Sequence, residues 1–287
     1  VFNEQNFIQE SINSILNQTY QEFELIIIND GSSDDTFKNI KPFLNDKRIK
    51  YYDKGKIGKV KAFNLGFSKS TGKYVCLFAG DDVMLKNSIF YRIEALMNSP
   101  KELSVSCGKL ITMSKNKKLD SIIMPKGSKG NLSGGLVMFD KIFGNYMFPI
   151  PEDLINEDLW IKLHIQYFAK EIIHIPKVIV KYRIHNNNSY LNIDSFEDFK
   201  SKSEEINNRI YNGHKLFLKK YYNRLHNKDK LKIKNIILAE QYRYCGKWVR
   251  ILFMRIPVVE KIKLILESNV YFFKIKNIFA RFLIGRG

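Results

Sequence analysis

Glu24-Leu25-Ile26-Ile27-Ile28-Asn29-Asp30-Gly31-Ser32-Ser33-Asp34-Asp35-Thr36 decides how this chain folds. It opens as an apolar, β-branched run of strand length. It breaks at Asp30-Gly31, residues that favour tight reversals, and leads on into a helical pattern. The same plan recurs where Lys73-Tyr74-Val75-Cys76-Leu77-Phe78 runs through Ala79-Gly80 into Asp81-Asp82. A third acidic pair, Glu157-Asp158, opens the amphipathic stretch that begins Leu159-Trp160. Carboxylates just past the carboxyl ends of parallel strands lie where open α/β sheets bind ligands.

Working outward, apolar residues at Phe7, Ile8, Ile12, Ile15 and Leu16 have a helical period, so 5–17 is expected to be a helix. Strands are expected at 23–28, 49–52, 73–78 and 103–113, and helices at 35–45, 58–70, 86–98 and 157–168. Ile172–Ile175 and Val178–Tyr182, separated by Pro176, read as two short strands. Gly127 to Gly135 reads as a mobile Gly/Ser-rich loop close to the site. This alternation predicts an α/β fold with a mostly parallel sheet flanked by helices. Asn186-Asn187-Asn188-Ser189 ends that unit, and beyond about 195 only long helices are expected. The expected domains are 1–192 and 193–287, with no internal repeat.

Hydrophobic content of 45% against 26% charged residues excludes a disordered chain. Three well-separated cysteines, Cys76, Cys107 and Cys245, form no CxxC pair and no disulfide framework, which fits a reducing cytoplasm. No run approaches the roughly 18–20 apolar residues of a membrane span, and no secretory signal opens the chain. The start, Val1-Phe2-Asn3-Glu4, has no methionine and almost no strand before its first polar turn. It reads as the interior of a longer reading frame whose opening strand is missing.

Each acidic cluster has a plain alternative. Asp30-Gly31 is also ordinary turn chemistry, and Asp82 could serve only to cap the next helix. Adjacent carboxylates at Asp81-Asp82 repel unless neutralised, and hard oxygen ligands suit Mg²⁺ or Mn²⁺ bridging to substrate phosphates. Glu157-Asp158 is either a dipole-complementing pair at a helix start or the source of a general base for a hydroxyl. His185 is open between metal ligand, phosphate contact and ordinary loop histidine. Arg183 nearby suits an anionic diphosphate. The remaining histidines make no zinc-like spacing.

In order and spacing these pieces resemble the family 2 glycosyltransferases, inverting enzymes of the GT-A fold. The resemblance runs from Phe2-Asn3-Glu4 and Ser14–Tyr20 through Phe23–Thr36, Gly58-Lys59, Ala62–Gly66, Gly72–Tyr74 and Asp81-Asp82. It continues to Glu157–Trp160 and ends at Tyr182–His185 with Ser189. It implies that Phe2, Asn3, Glu4 and Asp30 hold the nucleotide base and ribose, with Lys59, Asn64, Asp82 and Arg183 also on the nucleotide-sugar. It implies Asp81, with His185, as metal ligands for a divalent Mg or Mn. Asp158 is implied as the base, with Glu157 as neighbour or stand-in. Two positions depart from the family pattern. Ala79 stands where the first aspartate of the DxD motif is usual, and Phe63 stands where many members carry arginine, with Lys59 as an offset.

Residues 201–287 hold 20 Lys+Arg against 6 Asp+Glu, whereas 1–200 hold 27 against 23. Basic and apolar residues interleave from 229 to the end, among them Trp248, Phe253, Ile262, Tyr271, Phe279, Arg250, Arg255, Lys263, Arg281 and Arg286. Such helices are expected to lie on an anionic membrane, or else to cap the catalytic domain with solvated cations. Nucleic acid is disfavoured as a partner because no binding motif accompanies the charge. The expected function is transfer of a sugar from a nucleotide-diphosphate donor, UDP-linked by preference, to a surface-glycan or lipid-linked acceptor. The expected place is the cytoplasmic face of the cell membrane. The rival is a non-catalytic, glycosyltransferase-like binding protein.

Overall fold

Ile8, Ile12 and Ile15 recur at helical spacing along α1 (Ile8–Leu16), and all three are buried. Ile8 and Ile12 pack with Ile27 of β1 (Leu25–Asn29) and with Ile40, the last residue of α2 (Thr36–Ile40). β2 (Ile49–Asp53) runs parallel to β1 with Ile27 opposite Tyr51, and α3 (Lys59–Lys69) follows. The structure, a computed structural model, describes residues 1–155, 157–185 and 196–275, with 196–201 as backbone alone. Inter-residue contacts divide the chain into two units, Val1–Asn188 and Ser189–Gly287. The expected asparagine-rich end of the first unit, 186–189, lies outside the described residues. So do the expected apolar and basic positions from 276 onward.

A second sheet completes the first unit. Its strands are β3 (Tyr74–Cys76), β4 (Val83–Met84), β5 (Ser104–Ser114), β6 (Ile123–Met124), β7 (Val137–Asp140) and β8 (Glu171–Ile184). Their order is β3-β7-β5-β8-β4, with β6 paired to β5. The helices of this part are α4 (Ser88–Met97), α5 (Lys141–Met147) and α6 (Asp158–Phe168). The fold is α/β, but strand direction is more mixed than the sequence suggests. β1–β2 and β5–β8 are parallel, whereas β3–β7, β5–β7, β5–β6 and β4–β8 are antiparallel. A parallel neighbour requires a crossover, and α6 supplies one before β8. β6 and β7 return beside β5 without one, and so pair antiparallel.

The two short strands expected around Pro176 are one strand, β8. Pairing with β5 shifts there from Cys107↔His174 to Lys109↔Val178. Proline has no N–H for a ladder and is tolerated where a bulge interrupts it. Three buried polar side chains tie the strand ends to the helices. Gln18 donates to Leu85 O at 2.9 Å and accepts from Ile89 N at 3.0 Å. Asp140 accepts from Phe143 N at 2.6 Å, capping α5, and from Ser104 N at 2.7 Å. Arg92, fully buried, donates to Ser88 O at 3.2 Å and to Gly135 O at 3.1 Å.

Glu24, at the foot of β1, pairs with Lys50 at 2.7 Å and accepts from Thr71 N at 2.5 Å and Gly72 N at 3.0 Å. Burial alone would raise its carboxyl. Lys50, Thr71 and Gly72 reverse that and hold it at about 2 against an ordinary 4.5. A depressed carboxyl stabilises the fold fully above its unfolded value and ceases to do so as pH falls through the folded one. Glu24→Gln is therefore expected to cost about 2 kcal/mol at pH 7, after allowance for the partial exposure of Lys50. Urea titrations should show the gap from wild type closing between pH 4.5 and 2. A gap independent of pH would refute the assignment.

The second unit is helical: α7 (Phe196–Asn207), α8 (Gly213–Tyr221), α9 (Asn227–Tyr244), α10 (Trp248–Leu252) and α11 (Val258–Leu266). Phe217, Ile233, Ile251 and Phe273 are buried within it. A buried ion pair, Arg243 to Glu240 at 2.6 Å, is completed by Ser203 Oγ at 3.0 Å. No helix among the described residues is long and apolar enough to cross a membrane.

Candidate active site

Asp30 directly follows β1 and is buried. Its Oδ1 accepts from the amides of Ile57 and Gly58, each at 2.7 Å, and its Oδ2 meets Lys56 Nζ at 2.9 Å. Burial pushes its carboxyl up, but Lys56 and the two amides outweigh that and hold it below its ordinary value. The close approach depends on Gly31, whose φ is +69°. A Cβ there would lie 2.5 Å from Lys56 N. Lys56 also stands over the ring of Phe2, 3.0 Å from its centroid, a cation–π contact. Asn3, with φ +54°, accepts from Ser33 N at 2.9 Å and donates its own amide to Ser32 Oγ at 3.0 Å. The opening residues and the turn after β1 are thus clasped together.

The second acidic turn lies against the same opening segment. A Cβ on Gly80 would sit 3.2 Å from Glu4 Cγ. Burial first, then the charge of Asp81, pushes both the Glu4 and the Asp82 carboxyls up to about 7. Asp81 Oδ2 lies 3.1 Å from His185 Nε2, and the His185 ring packs on Phe7 at 5.0 Å between centroids. Asp82 is buried and accepts from Arg183 N at 2.9 Å. Arg183 donates through Nε to Asp81 O at 2.7 Å, pairs with Glu10 and stands over the Phe7 ring.

The third cluster opens α6. Glu157 Oε1 pairs with Lys59 Nζ at 3.1 Å, while Oε2 is buried with no hydrogen-bond partner among the described residues. Burial raises the Glu157 carboxyl, Lys59 opposes this, and Asp158 adds to it. Asp158 Oδ1 accepts from Gly134 N at 3.2 Å, which places the glycine loop directly on the acidic pair. Arg92, through Gly135 O, fixes that loop from the core side. A single turn joins two clusters: Gly58 N binds Asp30, and the next residue, Lys59, binds Glu157.

Of the residues singled out in the sequence, Phe2, Asn3, Glu4 and Asp30 gather at the first turn, Asp81 and His185 at the second, and Lys59, Glu157 and Asp158 at the third. Asn64 is not brought to any of these. Its carboxamide donates to Ile150 O at 2.9 Å and accepts from Ile150 N at 2.8 Å, bracing the chain ahead of α6. Asp82 and Arg183 hold the end of β8 on the second turn. Sequence reasoning missed Lys56 and Gly134. Lys56 carried a signal, a cation between Gly55 and Gly58 after β2, whereas Gly134 was legible only as part of a flexible composition.

Among the described residues no three His, Cys, Asp or Glu side chains converge as a ready metal cage. Mg²⁺ and Mn²⁺ are commonly held by one or two carboxylates together with substrate phosphates. Glu4, Asp81 and Asp82, the first and last pushed up by burial and then by the charge of Asp81, suit a cation that arrives with an anionic ligand.

This architecture is that of the GT-A glycosyltransferases. S. aureus TarS residues 1–349 bound to UDP superimposes with a TM-score of 0.57 at 18% identity, over 93% of this chain and 76% of that one. The UDP-GlcNAc complex of the same fragment gives 0.58 at 17%, over 93% and 77%. At such identities the likeness speaks for the fold. Residues 1–151 match the sequence model of glycosyl transferase family 2, and the chain belongs to that family. A glycosyltransferase of Rickettsia prowazekii is 30% identical over 220 residues, covering 69% of this chain and 67% of that protein. One of Rickettsia bellii is 45% identical over 89 residues, 31% of this chain but only 13% of the relative's length. The poly-beta-1,6-N-acetyl-D-glucosamine synthase of Staphylococcus epidermidis is 28% identical over 193 residues, 62% of this chain and 47% of that protein.

Proposed function

We propose that this chain is an inverting glycosyltransferase moving a hexosyl or N-acetylhexosaminyl group from a UDP-sugar to a hydroxyl of a surface-glycan or lipid-linked acceptor. The observation that carries the reading is the turn at 56–59, which binds Asp30 on one side and Glu157 on the other. It couples the carboxylate suited to base or ribose with the acidic pair suited to the acceptor. Relatives support the donor class: TarS structures hold UDP and UDP-GlcNAc, and the Staphylococcus epidermidis relative is a poly-N-acetylglucosamine synthase by name.

In this reading Phe2, Asn3 and Asp30 hold the nucleoside. Asp81, with His185 beside it, would hold a divalent cation, which when bound would supply positive charge to the departing diphosphate. Asp158 takes the proton of the acceptor hydroxyl as its oxygen attacks the anomeric carbon. Glu157, kept in place by Lys59, stands beside Asp158 and holds the start of the helix. The logic parallels inverting glycoside hydrolysis, with the cation in place of the general acid. The basic second unit is assigned to contact with an anionic membrane at its cytoplasmic face.

The test is calorimetric binding and hydrolysis across UDP-GlcNAc, UDP-glucose, UDP-galactose and GDP-mannose, with Mn²⁺, with Mg²⁺ and with chelator. One UDP-sugar should bind in the presence of metal and be lost on chelation. A folded protein that binds none of them would return the assignment to a non-catalytic relative.

A further inference from the structure

The second unit leaves one helix largely uncovered, only Lys261 and its last turn, Leu264–Leu266, being half-buried. α11 has no buried residue along its length, although five of its nine residues are apolar on one side. At about 100° per residue, Val258, Val259, Ile262, Ile265 and Leu266 fall within an arc of about 120°. Lys261 and Lys263 border that arc on either side, and Glu260 lies opposite. Val258 is 67% and Val259 79% exposed, and Phe253, in the turn before the helix, is 84% exposed. Isolated apolar residues on a surface need no explanation, but a contiguous strip with an aromatic tip does. Lys261 donates to Leu252 O at 2.8 Å, which fixes the helix to the end of α10 and holds Phe253 beside it.

We infer that the turn and helix from Phe253 to Leu266 are a monotopic docking face that lies in the interface of an anionic lipid bilayer. The inference rests on the membrane contact proposed above and names the surface that makes it. An amphipathic helix bordered by lysines matches such an interface. Its apolar arc enters the acyl boundary while the lysine stems lie along it and their ammonium groups reach the phosphates. Phe253 then enters at the level where aromatic rings accumulate. Arg250 and Arg255, near the same turn, add positive charge against two acidic groups, Glu260 and Glu267. That balance also argues against a second copy of this chain as the occupant, because self-association would set like charges face to face.

Co-flotation of the full chain with phosphatidylglycerol/phosphatidylethanolamine vesicles, and separately with phosphatidylcholine vesicles, tests this. The chain should float with the anionic vesicles, and added salt should weaken the association. Phe253→Ser with Val259→Ser should reduce binding at least tenfold, and Lys263→Gln about fivefold on the anionic vesicles alone. Both substitutions fall on exposed positions, so melting temperature should hold. UDP-sugar binding by the same variants reads the transferase assignment separately. Wild-type flotation by the double variant would overturn the proposal. So would a solution dimer, seen by sedimentation without vesicles, that the double substitution dissociates.

Discussion

Asparagine in place of Asp158 is expected to lower kcat by about 10²–10⁴, the range a positioned proton acceptor contributes, while UDP-sugar affinity stays within about twofold. The carboxamide is nearly isosteric and retains an oxygen for the amide of Gly134, now 3.2 Å from Asp158 Oδ1. The glycine loop and the start of α6 should therefore stay in place. The substitution also removes the charge that helps to raise the Glu157 carboxyl, so melting temperature should not fall. A matched Glu157→Gln variant separates the two carboxylates. It leaves Lys59 without its anionic partner, now 3.1 Å away, and should raise KM more than it lowers kcat. Single-turnover transfer to an acceptor in quenched flow is the measurement. An Asp158→Asn enzyme of normal rate alongside an inert Glu157→Gln enzyme would exchange their roles.

The fold was legible where a single physical signal was long. Ile8, Ile12 and Ile15 gave α1 its period, and Leu25–Ile28 could be nothing but a buried strand beside Asp30. Reading failed where elements were short or where direction mattered. β7 is four residues, all buried, and it passes straight into α5 through Asp140. So brief an apolar run has no period to detect. The antiparallel pairings of β7 depend on which strand it returns beside, a tertiary choice that local patterning does not encode. Pro176 suggested a strand break, yet the strand continues, because a bulge takes up the missing donor.

At the site, residue type was legible and partnership was not. Two adjacent aspartates look equivalent in sequence. In the fold Asp82 is buried against Arg183 N, while Asp81 meets His185. Asn64 has the chemistry of a ligand contact but braces Ile150 instead. Lys56 was passed over as one lysine among many. Only the turn geometry reveals that it joins Asp30 to the ring of Phe2. Such assignments depend on which of several similar groups faces inward, and composition does not carry that.

Asp81→Ala is the complementary loss. Asp81 stands within a set of carboxylates, and its charge helps to push Glu4 and Asp82 up to about 7. Without a cation that crowding is a cost to the folded protein. Removing the charge should leave the metal-free melting temperature equal or slightly higher, as is common where a site is built for function at the expense of stability. With metal and UDP-sugar present the balance reverses. On the proposed reading the variant loses the carboxylate that would share a cation with the diphosphate, and kcat/KM is expected to fall by about 10²-fold or more. Chelator supplies the internal control, since wild type and variant should then bind UDP-sugar with equal, weak affinity. The Ala79 departure makes this result sharper. With no aspartate at the usual first position, no second carboxylate of that motif remains to substitute. Metal-dependent binding at wild-type strength in Asp81→Ala would shift the cation's place to Glu4 or exclude it from donor recognition altogether.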